Sequence, residues 1–122
     1  MGSSTPDRAS AWFEIPVSDL ADARKFYGAV LQCEIPVTEG GPNPIAIFPS
    51  KEEMMSGHLY PGKAAAAGTG PTIHLFVADP LEDAMKRVSD NGGKVVSPIV
   101  TIPAGRFVYC LDPDGNSFGL FV

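Results

Sequence analysis

The run FEIPVSDLADARKFY, Phe13–Tyr27, reads as a strand, a cap and the start of a helix. Ala11–Val17 (AWFEIPV) alternates and is rich in β-forming side chains, with Pro16 near the strand's end. Asp19 supplies a short carboxylate that accepts the free amides of a first helical turn. Behind it Leu20, Ala23, Phe26, Tyr27, Val30 and Leu31 fall on one face at helical spacing, which predicts a helix over Asp19–Leu31. Short apolar stretches follow at Glu34–Val37, Ile45–Pro49 and Gly57–Tyr60, with the loop Gly40–Pro44 between the first two.

The same order returns after a connector, Pro61–Pro71 (PGKAAAAGTGP), whose glycines and prolines outweigh the helical preference of its alanines. Thr72–Ala78 (TIHLFVA) reads as a strand, and Asp79-Pro80 opens a helix over Pro80–Asn91 with Leu81, Ala84, Met85 and Val88 as its buried stripe. Asn91-Gly92-Gly93 ends it. Lys94–Pro98, Arg106–Leu111 and Ser117–Val122 are the remaining strands, the last two joined by the turn Asp112–Asn116. At a gapless offset of 61 residues, Leu20, Asp22, Ala23, Lys25, Pro42, Ser56 and Leu59 recur as Leu81, Asp83, Ala84, Lys86, Pro103, Ser117 and Leu120. Identity at that level is weak. The matched order of elements carries the inference that each half is one βαβββ unit. The expected fold is therefore α+β: two tandem modules, about 11–60 and 72–122, around a linker at about 61–71, with residues 1–10 as an N-terminal arm. The modules share a curved mixed sheet with helices on its outer face.

Composition narrows the function. In 122 residues there are nine Lys plus Arg against fourteen Asp plus Glu, a net charge of −5, with 44% hydrophobic and 19% charged side chains. That suits one folded domain. The acidic balance argues against nucleic acid and against anionic membranes, which both call for basic surplus. No apolar run approaches the roughly 20 residues of a membrane-spanning helix and no signal segment opens the chain, so a cytoplasmic protein is expected. Cys33 and Cys110 supply neither a disulfide framework nor zinc spacing, and nothing in their placement argues for a lowered pKa. Nucleophile elbows, Walker loops and dinucleotide fingerprints are missing, and Gly92-Gly93 and Gly115 read as backbone devices.

A duplicated βαβββ module with FEIPVSDLADARKFY near its start, GGKVVSP (Gly92–Pro98) and LDPDGNSFGL (Leu111–Leu120) resembles the vicinal-oxygen-chelate superfamily. That group holds glyoxalase I, bleomycin-resistance proteins and extradiol dioxygenases; the small branch related to lactoylglutathione lyase is the nearest likeness. The resemblance covers residues 11–122 and implies a cup-shaped cavity inside the sheet. In the metal-using members it implies four ligands, His, Gln or Glu, on the opening and closing strands of each module. Those positions fall here on Trp12, His58, Ile73 and Gly119. An indole, one imidazole, an aliphatic chain and no side chain do not hold a divalent ion, so no metal cofactor is expected. Zinc, nickel or manganese belongs here only if that register is wrong.

The remaining candidates follow from strand alternation. Glu14 lies two residues after Trp12 on the same face, where it acts as a polar anchor or base, or pairs structurally with a backbone amide or with Arg106. His58 is the other candidate catalytic or ligand-contacting group, against a simpler place as a polar liner. Ligand-binding positions are expected at Trp12, Tyr60, Ile73, Leu75, Tyr109, Gly119 and Phe121, an apolar and aromatic cup. His74 pairs with Phe13 in the offset, which sends it to the helix side as a core or rim histidine. Arg106, at a loop-to-strand junction, either clamps a ligand carboxylate or is solvated. Three readings stand: a metal-free binder of a small, partly apolar molecule; a lyase, isomerase or dioxygenase-type enzyme; and an interaction subunit without substrate. Uncovered strand edges add the expectation of a homodimer, with modules paired within one chain or swapped between chains.

Overall fold

The computed structural model describes residues 5–39, 41–78 and 80–122. Asp19 caps the first helix as its sequence requires, its Oδ1 accepting the amide of Asp22 at 2.9 Å. Helix α1 runs Leu20–Leu31 and buries Ala23, Phe26, Tyr27 and Val30; Gln32, at φ 56°, closes it in the left-handed region. Helix α2 runs Leu81–Asp90 and buries Leu81, Ala84 and Val88. Gly92, at φ 95°, turns the chain away behind it. The expected opening at Asp79, the start of the arm (1–4) and Gly40 lie outside the described residues.

Strands β1 (Phe13–Val17), β2 (Val37–Thr38), β3 (Ile45–Ile47) and β4 (Gly57–Pro61) form one sheet in the order β1-β4-β3-β2. Strands β5 (Ile73–Phe76), β6 (Lys94–Val95), β7 (Val100–Ile102), β8 (Gly105–Leu111) and β9 (Ser117–Phe121) form the second, in the order β5-β9-β8-β6 with β7 also on β8. In both sheets the opening strand pairs parallel with the closing strand. Strand β7 was not expected. It continues the edge that β6 begins, β6 pairing with Cys110–Leu111 and β7 with Gly105–Phe107. Pro98 lies in the gap and has no N–H to give a ladder.

The helices cover one face of each sheet, and a single apolar core joins them. Val17, Tyr27, Val30, Leu59, Leu81, Val108, Phe118 and Leu120 are fully buried. Tyr27 is ringed edge-to-face by Phe26 at 5.0 Å, Phe118 at 5.4 Å and Phe48 at 5.5 Å, so α1 touches both sheets. Its hydroxyl donates to buried Asp112 Oδ2 at 2.7 Å. Asp112 organises its whole turn: Oδ1 accepts the amides of Asp114 and Asn116, and Oδ2 also accepts Asn116 Nδ2. That same Asn116 amide donates to Pro16 O, and the Ser18 amide donates to Asp114, so the turn of the second module fastens strand β1 of the first. The linker folds over the turn too, Gly68 N donating to Gly115 O. Among the described residues no helix is long and apolar enough to cross a membrane.

The register corrects one part of the sequence reading. In β1 the buried side chains are Ile15 and Val17; in β5 it is Leu75, with Ile73 and Val77 packed against the same core. Ile15 pairs with Leu59 and Leu75 with Leu120, so Ile15 and Leu75 are equivalent at an offset of 60. The helices keep the offset of 61, with Ala23 matching Ala84 and both buried. One residue more separates Val77 from Leu81 than separates Val17 from Leu20. Because side chains alternate, that extra residue turns all of β5 over. Leu75 faces the core and does not line the cup, Ile73 packs at the core's edge and reaches only the crevice between the modules, and His74 stands on the open face.

Candidate functional site

Parallel pairing sets Glu14 opposite His58 and Pro16 opposite Tyr60, so alternation gathers Trp12, Glu14, His58 and Tyr60 on the open face of the first sheet. Trp12 Nε1 lies 2.8 Å from His58 Nδ1, and His58 Nε2 lies 3.1 Å from Glu14 Oε1. These contacts fix the protons. An indole N–H only donates, so Nδ1 is a bare acceptor; the proton is then on Nε2 and passes to a carboxylate that only accepts. Both imidazole nitrogens are thus engaged, Nδ1 as acceptor and Nε2 as donor. Its side chain is 12% exposed, whereas Glu14 is 63% exposed and keeps free lone pairs. Tyr60 presents its ring edge-on to His58 at 6.0 Å.

The second sheet offers an aromatic floor. His74 stands edge-on to Phe107 at 5.2 Å and beside Tyr109 at 5.7 Å, while Phe121 stacks along Phe107 and meets Phe76 edge-on. Gly119 pairs with both His74 and Tyr109, and a Cβ there collides with the imidazole, so the missing side chain is the seat of His74. Phe76, at 83% exposure, is the most exposed of the large apolar side chains.

Trp12, Glu14, His58 and Tyr60 therefore come together on one sheet, and Tyr109, Gly119 and Phe121 on the open face of the other. His74, Phe76 and Phe107 join them, unanticipated; the signal that finds the first two is the unequal spacing from strand to helix. Glu14 pairs with His58, not with Arg106. Arg106 instead sets its two terminal guanidinium nitrogens 3.3 and 3.4 Å from Glu82 at the start of α2, and these hydrogen bonds hold the Glu82 carboxyl below its ordinary range. Burial raises the thiol pKa of Cys33, and that of Cys110 to about 12, which keeps both protonated and unreactive.

A crevice of about 140 Å³ opens where the modules meet, walled by Glu14, Pro16, Thr69, Ile73, Asn116 and Ser117. A larger hollow, about 300 Å³, lies outside α1 between Arg24 and Cys33, away from both open faces. The ligand positions implied by resemblance do not suit a metal. Correcting the register puts Thr72 in place of Ile73 as the mate of Trp12, which adds no strong ligand. His58 Nδ1 is spent on the indole, and among the described residues no three His, Cys, Asp or Glu side chains converge.

Solved structures share this architecture. A glyoxalase/bleomycin resistance protein from Albidiferax ferrireducens superposes with a TM-score of 0.69 at 22% identity, over 92% of this chain and 96% of that one. An antibiotic-binding protein from a Streptomyces species gives 0.65 at 23% identity, over 97% and 98%. Glyoxalase I from Zea mays gives 0.68 at 17%, over 91% of this chain and 44% of that longer one. At such identities the likeness is one of fold. A search of the curated proteins finds no match. A family model does match, over residues 9–120. With its paired modules, parallel opening and closing strands, and a match along nearly its whole length, the chain belongs to the Glyoxalase/Bleomycin resistance protein/Dioxygenase superfamily.

Proposed function

We propose that this protein binds a small, partly apolar molecule against the open faces of its sheets, and does so without a divalent metal. The observation that carries the reading is the indole of Trp12 at a metal-ligand position, donating to the imidazole that a metal would need. Flat rings on both sheets and few polar groups suit a ligand held by shape and one or two hydrogen bonds. The Streptomyces relative, described as antibiotic-binding, is a precedent for binding on this fold. Calorimetry with zinc, nickel and manganese, with elemental analysis of the purified protein, is expected to show no stoichiometric metal. One tightly held equivalent that disappears in His58→Ala overturns the reading and restores a glyoxalase-like metal enzyme. A second reading, a metal-free isomerase or lyase with Glu14 as base, is favoured by the exposed carboxylate oriented by His58 Nε2.

The protein is further proposed to work as a homodimer in the cytoplasm. Two cysteines present as free thiols suit a reducing compartment. Phe76 at 83% exposure, on edge strand β5, and Trp12 at 41% call for cover that a second copy supplies. Sedimentation is expected to give twice the 12.9 kDa chain mass. A clean monomer at high concentration sinks the dimer.

A further inference from the structure

We infer that the bound molecule presents a protonated amine to Glu14, and that Trp12 and His58 are positioning residues that aim this carboxylate. The inference rests on the reading that the open faces bind a small molecule, and adds the chemistry of its polar end. Hydrogen bonds in the group run one way, from indole N–H to His58 Nδ1 and from His58 Nε2–H to Glu14 Oε1. Neither imidazole nitrogen is left for a ligand. The free valence at the end of the chain is a carboxylate oxygen, an acceptor only, and it calls for a donor.

The crevice beside Glu14 asks for the same thing. Lysine, arginine and histidine do not occur in its wall, and its polar side chains are Glu14, Thr69, Asn116 and Ser117. Thr69 Oγ1 already donates to Ala66 O. The Asn116 NH₂ is used by Pro16 O and Asp112 Oδ2, which leaves Oδ1, an acceptor, as its remaining polar atom. The Ser117 and Thr72 hydroxyls share one hydrogen bond at 2.6 Å. An anion placed here meets a carboxylate with no cation in the wall. An ammonium meets the free Glu14 oxygen, Asn116 Oδ1 and hydroxyl lone pairs, all acceptors. A space of about 140 Å³ takes an ammonium and its first few carbons, about four or five water-sized groups. The rest of the molecule lies toward Trp12 and Tyr60, whose rings stand 5.9 and 6.0 Å from His58 and add a cation–π attraction to a nearby positive charge.

Calorimetry with benzylamine, benzyl alcohol and benzoate separates charge from shape, since the three share a ring and differ in the head. Benzylamine is expected to bind about tenfold more tightly than the alcohol, the scale of one charge-assisted hydrogen bond, with benzoate weakest. Glu14→Gln keeps an acceptor for His58 and so keeps the fold, yet is expected to abolish the preference for the amine. Trp12→Phe is expected to lower the amine-to-alcohol affinity ratio and not merely both affinities, which a structural role alone does not do. Glu82→Gln, outside the crevice wall, leaves all three unchanged. Equal affinity for amine and alcohol, tighter binding of benzoate, or an unaltered preference in Glu14→Gln overturns the amine while the cavity reading stands. An unaltered ratio in Trp12→Phe overturns the positioning role. Failure of all three probes to bind at millimolar concentration overturns the amine and the cavity reading together.

Discussion

Asp112→Ala is expected to lower the unfolding free energy by about 3–5 kcal/mol, a large part of the stability of an ordinary domain. The carboxylate is 4% exposed and accepts four hydrogen bonds, from the Tyr27 hydroxyl, two turn amides and Asn116 Nδ2. Alanine leaves four donors behind, the Tyr27 hydroxyl buried and the other three part-buried. It also releases Asn116, whose other bond holds Pro16 in the first module, so the loss spreads across the junction. Tyr27→Phe removes a single donor, keeps the ring that fills the core, and is expected to cost about 1–2 kcal/mol. Urea unfolding followed by circular dichroism measures both. A loss below that of Tyr27→Phe shows that the turn is held by its backbone and not by the carboxylate.

Alkali is expected to unfold the protein steeply. Tyr27 is raised well above its ordinary 10.0 by burial, then by the charge and hydrogen bond of Asp112; burial alone lifts the Cys110 thiol from 9.0 to about 12. Both groups hold their protons more tightly when folded. Their contribution is therefore complete below the unfolded pKa values and is lost as pH climbs toward the folded ones. Stability is expected to fall by about 1.4 kcal/mol per pH unit between 9 and 10, where the unfolded Cys110 thiol ionises with a smaller contribution from Cys33, and by about 2.7 above 10, where the phenol joins in. Denaturant titrations at successive pH values give the slope. Cys110→Ala removes most of the earlier onset and Tyr27→Phe the later steepening. A flat profile from pH 9 to 11 contradicts the burial of both groups.

The helices were legible because each carries its own stop and start: Asp19 before Leu20, and Asn91-Gly92-Gly93 after the Leu81–Val88 stripe. The open face of the first sheet was legible as well, since alternation from Trp12 brings Glu14 to its side and the repeat brings His58 and Tyr60 there. The second module was not. A constant offset assumes that the two halves differ only by substitution, and one additional residue between Val77 and Leu81 breaks that assumption. A helix absorbs such a change by starting later, whereas a strand answers by showing its other side. Leu75 went inward for that reason, Ile73 went to the core's edge, and His74 came out. The Glu14–His58 contact and the Glu82–Arg106 contact join side chains 44 and 24 positions apart, a separation that no local pattern spans.

Trp12 is the sole tryptophan, and it stands at the mouth of strand β1 with its N–H on His58 rather than in the interior. The intrinsic emission of this protein is thus a gauge of the ligand face, while the buried Tyr27 ring, packed edge-on against Phe26 and Phe118, contributes to its near-ultraviolet dichroism. Emission that shifts on adding a small molecule with the dichroism unmoved reports occupancy. Loss of the dichroism reports melting of the core, and the two optical signals need not share a midpoint.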